Sequence, residues 1–202
     1  PPPTIDLATH KNAKVITGTL LLELFRAGFA NLQRNHEHCN KISNSNIKKR
    51  FFMNVKYINV YNNLIKLTTN KNLYNGFVKQ DTFSDRLILF LLHFAFFLKV
   101  YKNDNNSIIL QEIYDFNFKQ LELSIREIGY GDQSINKKMK DYINLFHSII
   151  SEIHFWDDCS KIDKKKKILL FLENIDKNEY LVEYFDGFIE DLRKKNLNFF
   201  LK

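Results

Sequence analysis

Cysteine is almost missing from this chain: Cys39 and Cys159 stand far apart and in no CxxC pattern. That spacing argues against a disulfide framework or a structural zinc site and fits a reducing compartment. Glycine (6) and proline (3) are scarce as well. With so few turn-forming residues the chain has room for few, long elements, which favours helices over a many-stranded sheet. No stretch approaches the roughly 20 apolar residues of a membrane-spanning helix, so a soluble protein, at most peripheral to a membrane, is expected. A glycine-rich phosphate loop, a G-x-S-x-G elbow and an HExxH pair are all missing. The chain therefore reads as a binding or scaffolding protein and not an enzyme, with no cofactor, no metal and no small-molecule substrate.

What is present is a globular composition, 45% hydrophobic and 26% charged, with a formal net charge of +7. A basic balance suits acidic partners: nucleic acid, the ribosome or an anionic membrane surface. An AT-rich genome, which raises Lys, Asn, Ile and Phe together, would produce the same excess without any basic patch. All three prolines and four alanines (Ala8, Ala13, Ala27, Ala30) precede residue 31, and the first methionine is Met53. Residues 1–52 are accordingly expected to be an extension, extraneous or disordered, and residues 53–202 the domain. Residues 36–39, "HEHC", look metal-like but have no second ligand cluster.

Helical periods run through the domain. Residues 54–69 carry Val55, Ile58, Tyr61 or Asn62, and Ile65 near helical spacing, and Gly76 ends the loop that follows. Thr82 and Asp85 form a capping-box pair. The run "LILFLLHFAFFL" at 87–98 is apolar on every side except at His93, as expected of the buried centre of a bundle. His93 is expected to be a hydrogen-bonded core residue. The stripe Leu110, Tyr114, Phe118, Leu121, Ile125, Ile128 predicts a helix, as does Ile135, Met139, Tyr142, Phe146, Ile149 or Ile150, Ile153. A charged connector, "DDCSKIDKKKK", then leads to a short helix near 166–174. A last helix over 178–195 has Tyr180, Leu181, Tyr184, Phe188 and Leu192 on its stripe. The fold class is all-α, a bundle of about six helices around a mostly buried central one.

Between two of these helices lies "SIREIGYGDQSINKKMK" (124–140). Gly129 falls where a left-handed residue ends a helix, Gly131 lets the chain reverse, and Asp132 or Ser134 caps the next helix. Arg126 and Asp132 flank the corner closely enough to pair. Lys137, Lys138 and Lys140 fall off the apolar stripe, either as a solvated face or as a partner-binding one. These five charged residues are the candidate binding site. Asp157, Asp158, and Cys159 with nearby His154 have no third orienting group and are expected to be bystanders.

Two segments, "QDTFSDRLILFLLHFAFFLK" (80–99) and "LELSIREIGYGDQSINKKMK" (121–140), resemble the ubiquinol–cytochrome c chaperone family. Its pattern is D-T-x-x-x-R with an apolar L-H helix, then L-R-E-x-G-x-G-D and a basic helical stretch. Residues 61–77 look like the family's opening helix, and the resemblance spans about 57–155. Lys79-Gln80 departs from the Val-Pro that members often carry. The resemblance implies an assembly chaperone for the cytochrome bc1 complex, with cytochrome b or another bc1 subunit as client. It further implies contacts with the ribosome, a small partner protein and the membrane periphery. A bacterial, alphaproteobacterial-type member is expected, in the cytoplasm or at the inner membrane; a mitochondrial one would face the matrix. The alternative from another class is a basic helix-turn-helix protein that binds nucleic acid or the ribosome through the three lysines. Against it, lysines mainly contact phosphate and carry little base readout.

Overall fold

A computed structural model describes residues 45–74, 77, 82–127, 129–172 and 179–201, with side chains from Lys56 onward. Among the described residues there are six α-helices: α1 (Ser45–Thr68), α2 (Phe83–Tyr101), α3 (Ser107–Glu127), α4 (Asp132–Ile153), α5 (Lys161–Leu169) and α6 (Glu179–Arg193). Short 3₁₀ turns follow α1, α2, α4 and α6. The all-α expectation holds. Residues 1–44, including the "HEHC" stretch, and Gly76, Lys79, Gln80 and Ile128 lie outside the described residues. α1 begins earlier than its apolar period predicts and runs without a break through Met53. No proline or glycine falls between Ser45 and Thr68 to interrupt it.

α2 is the axis of the bundle, packing against α1, α4 and α6. Its start is fixed locally. The Thr82 hydroxyl accepts the Asp85 amide at 3.2 Å, and the Asp85 carboxylate accepts the Thr82 amide at 3.3 Å. Every residue from Arg86 to Phe97 is buried, which requires neighbours on all sides. The expected central helix is therefore present.

Aromatic side chains fill the space around it. Phe94, fully enclosed, stacks on Phe146 of α4 with ring centres 5.1 Å apart and 17° between planes. Phe96 meets Trp156 edge-on at 4.9 Å and Phe185 of α6 at 5.0 Å. Tyr61 of α1 lies edge-on to Phe90 and to Phe116 of α3. A second tie between α1 and α3 is polar, the Tyr57 hydroxyl donating to the Glu112 carboxylate. Phe200, beyond α6, closes on Phe97 at 5.4 Å.

His93 sits where expected. Its ring is fully enclosed, among Tyr184, Phe185 and Phe188 of α6. Nδ1 lies 2.6 Å from the Leu89 carbonyl, which can only accept, so Nδ1 carries the proton. Nε2 then accepts from the Tyr184 hydroxyl at 2.8 Å. Burial pushes the His93 pKa down to about 4, the Leu89 carbonyl opposing it, and burial pushes Tyr184 up to about 12. Both are neutral near pH 7.

Three sequence expectations need correction. The segment taken as a charged connector is the 3₁₀ turn Trp156–Asp158 followed by helix, and α5 spans Lys161–Leu169 rather than 166–174. Ser160 caps it by accepting the Asp163 amide at 3.1 Å. The α6 face is also turned from the predicted stripe. Leu181, Val182, Phe185, Ile189 and Leu192 are buried, Tyr184 and Phe188 are half-buried, and Tyr180 is exposed. Finally, the cap position of α4 is Gly131, not Asp132 or Ser134.

A corner and a groove between α3 and α4, the candidate functional site

Gly129 turns the chain at the end of α3. Its φ of +96° lies where L side chains rarely go, and its amide donates to the Arg126 carbonyl at 2.9 Å. Gly131 has an ordinary φ of −70°, and nothing lies within 4 Å of where its Cβ would stand. The reversal therefore depends on Gly129 and makes no such demand at residue 131. Gly129→Val is expected to cost about 1–2 kcal/mol, chiefly through backbone strain, since an added Cβ meets no neighbour. Gly131→Ala should be close to neutral. Urea denaturation of the two variants checks the contrast, and equal losses would contradict it.

Charge braces the corner. The Arg126 guanidinium donates both to Asp132, across the turn, and to Glu122 at 2.9 Å, one helical turn back. These bonds, Asp132 first, raise the already high pKa of Arg126. Glu122 also accepts from Lys119 at 3.0 Å, the main reason it titrates below the usual carboxylate range. Asp132 stands in the first turn of α4, where a negative charge suits the helix dipole. The expected pairing of Arg126 with Asp132 is thus present.

The three lysines differ in setting. Ile135, Tyr142, Phe146, Ile149 and Ile153 are buried and fix the rotation of α4. Lys137 and Lys140 are left exposed. Lys138 folds back, its ammonium 4.6 Å from the centre of the Tyr130 ring. Among the described residues, no carboxylate lies within salt-bridge distance of Lys137, Lys138 or Lys140.

The more conspicuous basic run, on α5, is neutralised. Lys161 meets Glu183 at 2.7 Å, Lys164 meets Asp186 at 2.9 Å and Lys167 meets Glu152 at 2.9 Å. Lys165 and Lys166 each have a carboxylate at 3.6 Å, from Glu179 and Asp163. The larger cluster in the sequence is thus largely cancelled, and the smaller one on α4 retains its charge.

Beside Lys140 a groove opens between α3 and α4. Tyr114, Phe118, Met139 and Ile143 form its floor. Asp115, Lys119 and Glu122 line one side, Asn136 and Lys140 the other. Tyr114 and Phe118 are held from below, their rings 5.8 and 5.3 Å from Phe146. Sequence reasoning missed this groove. Its only local trace is the pairing of Tyr114 and Phe118 at i,i+4, facing a helix that also carries Met139.

Asp157 joins the end of α2 to the end of α6, with Lys99 at 3.0 Å and Arg193 at 2.9 Å. Partial burial opposes its charge, but the two cations outweigh it and hold its pKa down. Cys159 is a half-buried free thiol, and His154 meets Phe155 edge-on. No group of three or more His, Cys, Asp or Glu among the described residues could hold a metal ion. Nor is any described helix long and apolar enough to cross a membrane.

The described helices thus set a braced basic corner beside an apolar groove. Residues 76–153, which include the whole of α2, α3 and α4, match the family model described as Ubiquinol-cytochrome C chaperone. By that segment the chain is recognised as carrying the ubiquinol-cytochrome C chaperone signature, as its two motifs suggested. The match is narrower than the resemblance over 57–155, and it leaves α5 and α6 outside. No curated protein and no solved structure gives a significant match to the chain.

Proposed function

We propose that this protein is an assembly chaperone for the cytochrome bc1 complex that works by protein–protein contact and without catalysis, holding newly made cytochrome b. The observation that carries this reading is that the candidate site falls inside the matched segment. The matched segment, 76–153, contains the whole of the Gly129 corner, the free lysines of α4 and the α3–α4 groove. Within this reading Arg126 and Asp132 set the angle of α4, and Lys137, Lys138 and Lys140 face the client or the ribosome that delivers it. Contacts with a small partner protein and with the membrane periphery belong to the same proposal, as does a cytoplasmic or inner-membrane location. The domain proper is taken to begin near Met53, within α1.

The test is an exchange of Lys137, Lys138 and Lys140 for glutamine in the full chain. Stability is expected to move by no more than about 1 kcal/mol, most of it from the lost contact of Lys138 with Tyr130. Cytochrome b recovered with the tagged protein from solubilised membranes is expected to fall several-fold, with a steeper loss in wild type as salt rises. Recovery equal to wild type, with stability also unchanged, would reduce the lysines to a solvated face.

A further inference from the structure

We propose that the α3–α4 groove receives about two turns of an amphipathic helix that carries carboxylates along the edge facing Lys137 and Lys140. This rests on the reading of the protein as a chaperone with a protein client, and it names the chemistry the client must present. The groove runs along α3 from Tyr114 to Glu122, a rise of about 12 Å, or roughly two helical turns. Its floor is apolar and firmly backed. Phe118 is 7% exposed, Tyr114 lies 4.7 Å from it, and both rest on Phe146. Such a floor suits side chains at i, i+3, i+4 and i+7 of a docked helix.

The charge left over at the rim decides the sign of the partner. Asp115 accepts from the neutral Gln111 amide at 2.9 Å, so its negative charge stays on the α3 side of the groove. Glu122 is shared by Lys119 and Arg126, so Lys119 is engaged too. Lys140 is different: it lines the groove and has no carboxylate partner among the described residues, and Lys137 stands one turn before it in the same condition. On the α4 edge the uncompensated charge is positive, which favours Asp or Glu on the client edge that faces it. A second groove, between α5 and α6 and lined by Ile162, Leu169 and Val182, makes a useful control. Its lysines already face Glu179, Glu183 and Asp163, so it has no comparable charge to offer.

Full-length protein is titrated into a fluorescent synthetic peptide of about 18 residues, long enough to sustain a helix. Leucines occupy i, i+3, i+4 and i+7, with glutamates beside them; a counterpart carries lysines in place of the glutamates. The acidic peptide is expected to bind about tenfold more tightly than its counterpart, a difference of about 1.4 kcal/mol. Lys137→Gln with Lys140→Gln should remove that preference, and Met139→Gln should weaken both peptides several-fold. Ile162→Gln should change nothing, and thermal unfolding verifies that each variant is folded. Equal affinity for the two peptides, indifference to the lysine exchange, or displacement of the acidic peptide by single-stranded RNA at equal charge would overturn the assignment. If neither peptide binds while cytochrome b still co-purifies with the full chain, the groove assignment falls and the chaperone reading stands. If the peptides bind as expected but no cytochrome b is recovered in the pull-down, the groove assignment stands and the chaperone reading falls.

Discussion

Phe94→Ala is expected to destabilise the protein by about 3–5 kcal/mol, a large share of the about 5–15 kcal/mol that holds a domain of this size together. Phe94 has no exposed surface and sits at the meeting point of three helices. It stacks on Phe146 of α4, and its ring centre lies 6.4 Å from those of both Tyr114 and Phe118 of α3. Truncation removes apolar area and leaves a cavity that rigid helices on either side cannot close. The loss should also reach the groove, because Tyr114 and Phe118 stand on the Phe94–Phe146 stack. Denaturant unfolding gives the stability change, and titration with the acidic helix peptide reports on the groove. A loss below about 1 kcal/mol would mean that α2 and α4 do not depend on this contact.

Acidification is the second large effect. His93 in the folded chain takes a second ring proton only below a pKa of about 4, because burial disfavours the cation, whereas the unfolded histidine titrates near 6.5. Between these values the unfolded state binds a proton that the native state does not, so stability rises with pH across the window. The contribution is fully present above about pH 6.5 and is lost as pH falls through 4, by roughly 3 kcal/mol for a displacement of this size. Carboxylates titrate in the lower part of the same window, so the comparison has to be with a variant that lacks the imidazole. His93→Gln should be less stable than wild type at pH 7, and the gap should narrow as pH drops toward 4. Parallel curves for the two proteins would show that His93 does not carry the slope.

How much of this was legible depends on how far apart the causes lie in the chain. The α4 face could be read because its apolar residues recur at steps of three and four with polar residues between them, and Ile135, Tyr142, Phe146, Ile149 and Ile153 are the buried ones. The capping box at Thr82 and Asp85 was readable for the same reason, its two members being only three residues apart. Ser160 and Asp163 repeat that pattern, yet the lysines after them outweigh the apolar residues and suggest a connector. What lets so basic a segment lie as a helix on the bundle is a set of carboxylates from elsewhere, Glu152, Glu179, Glu183 and Asp186, which no local window contains.

The α6 face went astray differently. Its apolar residues are numerous enough to support more than one stripe, and the aromatic one, through Tyr180, Tyr184 and Phe188, is not the one most deeply buried. The choice is made by α2, where His93 and Phe96 take Tyr184 and Phe185. Of the candidate site, the pairing of Arg126 with Asp132 could be anticipated from six residues of separation around a glycine. The shelf that Tyr130 offers to Lys138 and the groove beside Lys140 could not, because both depend on how side chains meet once α3 and α4 are in place.

The enclosure of α2 also has a cost in time. On the ribosome, residues 83–101 emerge before either of the helices that flank them downstream, and the hydroxyl that meets His93 belongs to a residue 91 positions later. At about 5–20 residues per second, that leaves roughly 5–20 s in which a helix rich in leucine and phenylalanine is only partly covered. During that interval this chain presents to the surrounding cell the same hazard as an unprotected client, so its own synthesis calls for the kind of shelter it is proposed to give.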